Sequence, residues 1–311
     1  MINLETVLVL GSGASKDFGF PTGQELVRQI GSMYTRPESQ IFFNECAGQI
    51  DLEKTRIFPR VLKTANPISV DTWLEHNHEF IEIGKIAIAI QLLQSEQKAN
   101  LNPEKNWYQL LFQRMNCPFE VFQKNKLSII TFNYDRSLEK YLFNTFRYTH
   151  KEKGEEECKE MLNQIKIIHV YGSLGRLGWQ HDDPNKPVAQ VDYATKLDRS
   201  VVFSASKSIK IMPEKGELSE EFQEARRWIN NAQALYFLGF GYHNTNMMRL
   251  GIEILRKPSK IMGTSWGLEY QTIREVERLD IHSFGRSLGL VNASVHEFLH
   301  DHVDFNEVGL P

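Results

Sequence analysis

The chain has 311 residues and a mass of 36.1 kDa, which favours one large domain or a core domain with an insertion. Its composition is 41% hydrophobic and 24% charged with a mean hydropathy of −0.39, which excludes disorder, collagen and a small disulfide scaffold. Thirty-six basic residues against 39 acidic ones give a net charge of −3, so no basic field predicts binding to nucleic acid or to an anionic membrane. Three cysteines without a CxxC spacing exclude a cysteine-rich zinc module and fit a reduced cytoplasm.

The sequence has no segment typical of a secretory signal or a transmembrane helix. The apolar run at 6–10 is followed within a few residues by a Gly-rich turn, which indicates a strand. The longest apolar stretch, 81–93, contains charged residues and is too short to span about 30 Å of hydrocarbon. We therefore expect a cytoplasmic protein without membrane contact.

Short apolar runs alternate with segments of helical periodicity, which predicts an α/β fold with a mostly parallel, Rossmann-like sheet. The predicted strands are 7–10, 127–132, 165–171, 234–239 and 260–264. One predicted helix begins at about residue 22, and the other predicted helices of the core are 136–146, 219–232, 245–256, 268–277 and 294–303. The charged run at 151–160 predicts a solvated loop or helix face.

Residues 36–126 contain no convincing strand. Segment 70–96 predicts one long helix or two stacked ones, with Ser69 or Asp71 as N-cap, and 101–122 predicts more helix interrupted by prolines. We interpret 36–126 as a helical insertion module in a core formed by 1–35 and 127–311. The module has more apolar and aromatic side chains than one helical layer need bury, so they pack either on another chain or under the sheet of this one. These side chains are Phe42, Phe43, Trp73, Leu74, Phe80, Trp107 and Phe112.

A Gly-rich turn follows the first strand directly. Glycines in this position let backbone amides approach a pyrophosphate at a helix N-terminus. The third fingerprint position is Lys16 rather than glycine, and the turn lacks the Gly-Lys-Ser/Thr ending of a Walker A loop. By itself the motif is equally consistent with a structural tight turn. The turn consists of Gly11, Ser12, Gly13, Ala14 and Ser15.

Polar residues also follow the later strands. Asn133-Tyr134-Asp135 comes at the carboxyl end of the second strand, where open α/β sheets bind ligands; an Asx turn with Asp135 as N-cap is the alternative. His169 and Tyr171 are two residues apart, which predicts that they share one face of the third strand. A hydrogen-bonded core histidine is the alternative for His169. The fourth and fifth strands end in Gly-rich turns that could be mere βα connections, with Gly239, Phe240, Gly241 and Tyr242 in one and Gly263, Thr264 and Ser265 in the other.

In their order, these strand ends resemble the sirtuin-like superfamily. The closer resemblance is to the sirtuin-like NAD-consuming effectors of prokaryotic antiphage defence, which share Phe-Pro-Thr-Gly at 20–23, Thr-Phe-Asn-Tyr-Asp at 131–135 and a central helical block. The resemblance covers nearly the whole chain, and the order and spacing of the motifs make it specific. It implies a sirtuin-type fold without a zinc module and NAD as the substrate.

The chain departs from deacetylase sirtuins in three places. Deacetylase sirtuins share Asp-Phe-Arg after a Gly-Ile-Pro, and this chain has Thr22-Gly23 at that place. It also lacks the four cysteines of their zinc module. These departures argue against lysine deacylation and for hydrolysis of NAD itself. A third departure is Tyr171, which occupies the position before Gly172 where sirtuins place their histidine.

The resemblance implies a role for each motif. Asn133 orients the attacking water or the ribose, His169 acts as general base, and Asp135 binds the nicotinamide carboxamide. The turn at 11–15 binds the phosphates. The residues expected at the adenosine end are Gly239, Gly241, Tyr242, Thr264 and Ser265, and those expected to complete the NAD contacts are Thr22, Phe132, Tyr134 and Tyr171. The product is ADP-ribose or a cyclised form.

A competing motif lies near the end of the sequence. His296-Glu297-Phe298-Leu299-His300 matches HExxH, the zinc-binding pattern of metalloproteases. Ser294 and Glu297 also form a capping box, which explains the glutamate locally, so we expect no metal. His302, Asp304 and Glu307 are the nearby residues that could supply a third ligand.

The resemblance further implies a toxic effector that depletes NAD when triggered. Because the sequence has no obvious sensor domain, we expect a homo-oligomer and a separately encoded partner such as a HerA-type ATPase or an Argonaute-type protein. The alternative is a non-catalytic nucleotide-binding subunit of such an assembly, with Tyr171 marking a decayed site.

Overall fold

A parallel sheet lies at the centre of the computed structural model, which describes residues 1–211, 217–252, 255, 258–278 and 288–306. Its strands are β1 (Thr6–Leu10), β2 (Leu127–Thr131), β3 (Lys166–His169), β4 (Ala234–Leu238), β5 (Lys260–Thr264) and β6 (Gly289–Val291). They lie in the order β3-β2-β1-β4-β5-β6, and all neighbours are parallel. The strand order reverses between β1 and β4, which opens a crevice at the carboxyl ends of these two strands. The predicted Rossmann-like α/β fold is therefore confirmed.

The two central strands explain why the sheet forms where it does. Every residue of β1 and of β4 is buried, as expected for strands that are covered by helices on both faces. In the register of the sheet, Val9 pairs with Ile130 on one side and with Phe237 on the other. This continuous apolar centre leaves only the strand ends for polar chemistry.

Helices cover the sheet and form the segment between β1 and β2. In chain order, those among the described residues are α1 (Gly23–Gly31), α2 (Pro37–Ala47), α3 (Leu52–Ala65), α4 (Val70–His76), α5 (Ile81–Lys98), α6 (Trp107–Met115), α7 (Ser137–Thr149), α8 (Glu155–Leu162), α9 (Arg199–Ser208), α10 (Glu220–Asn231), α11 (Asn244–Leu250), α12 (Tyr270–Glu277) and α13 (Val295–Asp301). Short 3-10 helices lie at Ser12–Phe18, Met33–Thr35, His78–Phe80 and Phe119–Lys124.

Residues 36–126 are helical, with no strand in a segment that is described throughout. Helix α5 is apolar around most of its circumference and packs against α1, α2, α3, α4 and α9, so it forms the buried centre of this segment. Ser69 is the N-cap of α4, and Asp71 lies in its first turn. Because α5 contacts helices on both sides of the proposed boundaries, the independent module at 36–126 stays a prediction.

The structure differs from the sequence-based elements at several ends. Strand β3 ends at His169 rather than at residue 171, because the chain turns there, and the Gly172 amide donates to the His169 carbonyl at 3.1 Å. Helix α11 ends at Leu250, and the rest of the predicted helix includes residues outside the described ranges. The sequence analysis missed β6 and α9. None of the helices within the described ranges is both long and apolar enough to cross a bilayer.

Candidate active site

The Gly-rich turns after β1 and β4 interlock at the crevice of the sheet. A Cβ atom on Gly11 would lie 2.5 Å from the Gly239 carbonyl oxygen, and one on Gly239 would lie 2.1 Å from the Ala14 nitrogen. Gly239 also has a φ of +55°, a conformation that favours glycine. The glycines are therefore required for the close contact of the two turns, which join with no side chain between them.

The backbone amides of the first turn are largely used within the protein. Those of Gly11 and Gly13 donate to the carbonyls of Leu238 and Gly239 at 3.0 and 2.9 Å, and that of Ala14 donates to Gly11 at 2.9 Å. Three of the five backbone amides of this motif are thus used as they would be in a purely structural tight turn. The predicted phosphate contacts of this turn stay a prediction.

Asn133 lies just beyond the end of β2 and reaches across to the first turn. Its Nδ2 donates to the Gly11 carbonyl and to the Ser15 hydroxyl, both at 3.0 Å, and its backbone amide donates to the Thr131 hydroxyl at 3.0 Å. The side chain is half-buried, and no described residue donates a hydrogen bond to its Oδ1. Asn133 is therefore anchored through its amide donors, with an acceptor oxygen left at the crevice.

Asp135 forms an Asx turn at the start of α7. Its carboxylate accepts hydrogen bonds from the backbone amide of Ser137, at 3.1 Å, and from the Ser137 hydroxyl. Burial raises the pKa of Asp135, although the hydrogen bonds from Ser137 and Ser15 oppose this. The Asx turn that the sequence analysis gave as an alternative is therefore present, but Arg136 and not Asp135 is the N-cap of α7. A contact between Asp135 and the carboxamide stays a prediction.

His169 ends β3 and has a partner at each ring nitrogen. Nδ1 lies 2.7 Å from the Asn133 carbonyl oxygen, and Nε2 lies 2.6 Å from a carboxylate oxygen of Glu139. Burial lowers the pKa of His169, but the Glu139 carboxylate and the Asn133 carbonyl outweigh it, so the pKa is raised above the ordinary value of 6.5. Both ring nitrogens therefore have protein partners, as in the alternative of a hydrogen-bonded core histidine, and the role of His169 as general base stays a prediction.

Tyr171 does not share the surroundings of His169, contrary to the prediction. Because β3 ends before Tyr171, the two-residue alternation does not extend to it. Its hydroxyl donates to Asn246 at 2.7 Å and accepts a hydrogen bond of 2.5 Å from Arg249. Arg249 also pairs with Glu75 of α4 at 2.8 Å, and all three of these charged and phenolic side chains are buried. The two candidate bases therefore lie in separate hydrogen-bond networks.

The remaining predicted contacts fall into two groups. The Tyr134 hydroxyl donates to Asp71 of α4, and the Phe132 ring packs edge-on against Tyr171 at 5.6 Å, which places both residues beside the Arg249 network. At the other half of the crevice, the Thr264 hydroxyl accepts a hydrogen bond from the Gly239 amide at 2.8 Å, and the Tyr242 hydroxyl donates to the Thr264 carbonyl at 3.1 Å.

Three other predicted positions have local structural roles. Ser265 is buried, and its amide donates to the Val291 carbonyl of β6 at 2.8 Å. Gly241 lies in the turn between β4 and α11. Thr22 is the N-cap of α1 and forms a capping box with Glu25, so its side chain is used in the helix start.

A small cavity lies below the first turn. Its volume is about 10 Å³, room for no more than one water, and it is lined by polar groups of β2 and α7 together with Ser15. A dinucleotide is too large to enter a cavity of this size. The polar lining residues are Ser15, Tyr108, Thr131, Asn133, Asp135 and Glu139.

The HExxH motif is not arranged as a metal site. Its Glu297 caps α13 through Ser294 and pairs with Lys105 at 2.7 Å; the Lys105 and Ser294 hydrogen bonds lower its pKa to about 2. Within the described ranges, no group of three or more His, Cys, Asp or Glu side chains is placed to hold a metal ion. Glu307 lies outside those ranges.

Residues 127–276, from β2 through most of α12, match the family described as "SIR2-like domain". This part of the chain is sirtuin-like. A SIR2-like domain indicates an NAD-dependent activity in general. A crystal structure of SIR2 in complex with the inhibitor EX-527, 2′-O-acetyl-ADP-ribose and a deacetylated p53 peptide aligns with 95% of this chain and 90% of that chain, at 15% identity and a TM-score of 0.39. No curated protein matches the sequence.

Two residues of this sirtuin-like site were missed by the sequence analysis. Glu139 is a buried carboxylate on the first turn of α7, between the apolar residues Leu138 and Tyr141, and this position was a usable signal. Arg249 on α11 gave no comparable signal, because its partners Glu75 and Tyr171 are distant in the sequence.

Proposed function

We propose that this chain hydrolyses NAD at the bond between nicotinamide and ribose, releasing nicotinamide and ADP-ribose or a cyclic form of it. The proposal rests on the SIR2-like domain and on one observation, the Asn133 side chain, whose donors are anchored while its Oδ1 remains at the crevice. Such an oxygen can accept a hydrogen bond from a water or from a ribose hydroxyl.

The interlocked turns are compatible with a dinucleotide. Because no side chain separates the turns after β1 and β4, a pyrophosphate can cross the crevice close to the backbone. Because Asn133 lies at the end of β2, we propose that the nicotinamide ribose binds over that half of the sheet. The adenosine end then lies over β4 and β5, beside Thr264 and Ser265.

Bond cleavage of this kind passes through an oxocarbenium-like transition state. The C1′–N bond breaks, the bonding electrons leave with neutral nicotinamide, and a water molecule attacks C1′ and releases a proton. The Asn133 Oδ1 orients that water or the ribose by accepting its O–H, which lowers the entropic part of the barrier. A ribose hydroxyl in place of water gives the cyclic product.

The resemblance to antiphage effectors supports a role in defence by depletion of NAD. In that role the chain is a homo-oligomer whose activity is controlled by a separate partner, such as a HerA-type ATPase or an Argonaute-type protein. Lack of the zinc-module cysteines supports NAD hydrolysis over lysine deacylation.

A second candidate function is non-catalytic nucleotide binding within such an assembly. Tyr171 supports it, because this residue replaces a histidine, and its hydroxyl is bound to Asn246 and Arg249. A subunit of this type would bind NAD without releasing nicotinamide, and binding measured together with turnover separates the two functions.

The substitution Asn133→Ala tests the proposed chemistry. We expect it to abolish nicotinamide release, because the orienting oxygen is lost, and to lower the free energy of unfolding by about 1–2 kcal/mol through the lost hydrogen bonds. Asn125→Ala is the matched control, since Asn125 Nδ2 also donates two hydrogen bonds, to the carbonyls of Met115 and Phe122, but lies at the amino edge of the sheet. Wild-type turnover in Asn133→Ala would remove Asn133 from the mechanism.

A further inference from the structure

The hydrogen bonds of His169 connect a buried carboxylate to the backbone of Asn133. One ring nitrogen contacts the Asn133 carbonyl oxygen at 2.7 Å, and the other contacts Glu139 at 2.6 Å. Glu139 is 3% exposed, and His169 is largely enclosed. The chain Glu139–His169–Asn133 thus crosses from α7 through β3 to the loop after β2.

Both partners of the imidazole are acceptors. A carbonyl oxygen can only accept a hydrogen bond, and so can an ionised carboxylate. A neutral imidazole has one N–H, so either tautomer would leave a ring lone pair facing an oxygen lone pair at 2.6 or 2.7 Å. With Glu139 ionised, the imidazolium, with two N–H groups, is the form that satisfies both contacts at once.

We propose that Glu139 and His169 form a clamp that holds the Asn133 carbonyl and thereby fixes the Asn133 amide for NAD hydrolysis. This inference rests on the proposed function for its effect on rate. In it Glu139 is a positioning residue, and His169 is a positioning residue rather than the general base. The backbone amide and the Nδ2 of Asn133 are anchored separately, to Thr131, Gly11 and Ser15, so the clamp supplies the remaining constraint on this residue.

The clamp and a general base predict opposite dependences on pH. A base must be deprotonated to act, so the rate rises as the pH passes through its pKa. The clamp must be protonated, so the rate falls as the pH passes through the pKa of His169 in the folded protein. Because that pKa is raised, the fall lies above the ordinary value of 6.5.

The neighbouring titratable groups do not obscure this test. Asp135 is the other carboxylate that acts on His169; it is present in wild type, Glu139→Gln and Glu160→Gln alike, so the comparison of these proteins isolates the effect of Glu139. Tyr108 and Tyr193 lie beside these carboxylates, and burial raises the pKa of both phenols, so they stay neutral.

The other charged groups around the clamp have their own partners. The Arg136 guanidinium is paired with Glu96 at 2.7 Å. Lys166, at the other end of β3, is exposed and interacts electrostatically with Glu224 on α10.

The experiment combines histidine NMR with a pH–rate profile. Protein labelled with ¹⁵N-histidine is titrated from pH 5.5 to about 9, and nicotinamide release is followed over the same range, for wild type and Glu139→Gln. We expect His169 to titrate at a lower pH in Glu139→Gln, the fall in rate to move with it, and the rate at neutral pH to drop about 10- to 100-fold. Glu139→Asp should restore part of the rate.

An exposed pair provides the control. Glu160 contacts His181 at 3.1 Å with both side chains largely exposed, so Glu160→Gln removes a similar pair far from the clamp and should leave rate and profile unchanged. A wild-type rate that rises through the His169 titration, or an unchanged His169 titration in Glu139→Gln, would overturn the proposal. If Glu139→Gln does not fold, the sign of the wild-type profile still decides.

Failure of the proposed function gives a distinguishable result. A wild type that releases no nicotinamide at any pH contradicts NAD hydrolysis, while the His169 titration and, in uniformly ¹⁵N-labelled protein, the signals of the Asn133 side-chain amide still report on the clamp. In that case, Asn133 signals that shift in Glu139→Gln and not in Glu160→Gln support it, and unchanged signals overturn it.

Discussion

Tyr171 follows the end of β3 by two residues and occupies the position where the sirtuin resemblance implies a histidine. Its surroundings show how the chain accommodates the change. The phenol hydroxyl joins Arg249 of α11 to Asn246, and Arg249 is further paired with Glu75 of α4. Burial raises the pKa of Tyr171 far above its ordinary value, although Arg249 opposes this, so the hydroxyl remains protonated at any physiological pH. The residue therefore connects helices and does not act as a base.

Tyr171→Phe separates that structural role from catalysis. We expect it to lower the free energy of unfolding by about 1–3 kcal/mol, because the buried Arg249 and the half-buried Asn246 each lose a partner. Nicotinamide release should change far less than in His169→Ala, which removes the contact with the Asn133 carbonyl and for which we expect a loss of roughly 100-fold or more. Denaturant unfolding and turnover of both variants test the ranking, and the opposite ranking of turnover would contradict it.

For individual residues, the sequence predicted which side chains lie together at the edge of the sheet, but not which partners each side chain contacts. The five strand ends carry the polar residues, and the parallel sheet brings them to one edge as expected. The pairing of His169 with Tyr171 was wrong, because spacing alone does not reveal where a strand stops. The partners Glu139 and Arg249 depend on helix packing between distant segments, and no local pattern encodes that contact.

Helix α5 is tied to the loop after β2 by a buried ion pair. The Arg136 guanidinium donates from Nε and Nη2 to the Glu96 carboxylate, at 3.0 and 2.7 Å. Arg136 and Glu96 are each no more than 2% exposed. Arg136 follows Asp135 directly, so this pair connects the helical segment 36–126 to the candidate site. Burial raises the pKa of Glu96, and Arg136 opposes this.

Breaking the pair from one side should be costly. We expect Glu96→Ala to lower the free energy of unfolding by about 3–5 kcal/mol, because the Arg136 charge is left buried without its partner. Glu82→Ala on the same helix removes an exposed carboxylate that pairs with the half-buried Lys85 and should cost less than about 1 kcal/mol. Urea unfolding of both variants measures the difference, and equal costs would show that the buried pair has no special weight.

The elements that the sequence analysis missed are those with weak local signals. Strand β6 has three residues, too few for a hydrophobic alternation. Helix α9 contains several serines, and its helical state depends on packing against α5. Strands β1, β2, β4 and β5 were predicted nearly to the residue, because buried parallel strands are continuous apolar runs.

The aromatic side chains of segment 36–126 do not form a docking surface. Phe43, Trp107 and Phe112 are buried, as are Leu74 and Phe80. Phe42 and Trp73 are partly buried against the same core. The reasoning from surplus aromatic surface was therefore wrong, and the expected homo-oligomer rests on the resemblance alone.

For the whole molecule we predict a purified homo-oligomer with weak NAD cleavage that its partner increases at least about tenfold. A cell does not tolerate an unregulated NAD hydrolase, so a coupling of this size is needed to keep the effector inactive. Light scattering gives the assembly size, and nicotinamide release with and without the genomically neighbouring protein gives the gain. A 36.1 kDa monomer that is fully active alone would contradict this prediction.

Nicotinamide release from NAD by the purified protein tests the central claim most directly. Wild type, Asn133→Ala and Asn125→Ala are incubated with NAD, each with and without the neighbouring protein, and nicotinamide is quantified. We predict release by wild type and Asn125→Ala and none by Asn133→Ala. Binding of NAD by wild type without any release under either condition would contradict hydrolysis and leave the non-catalytic subunit as the function.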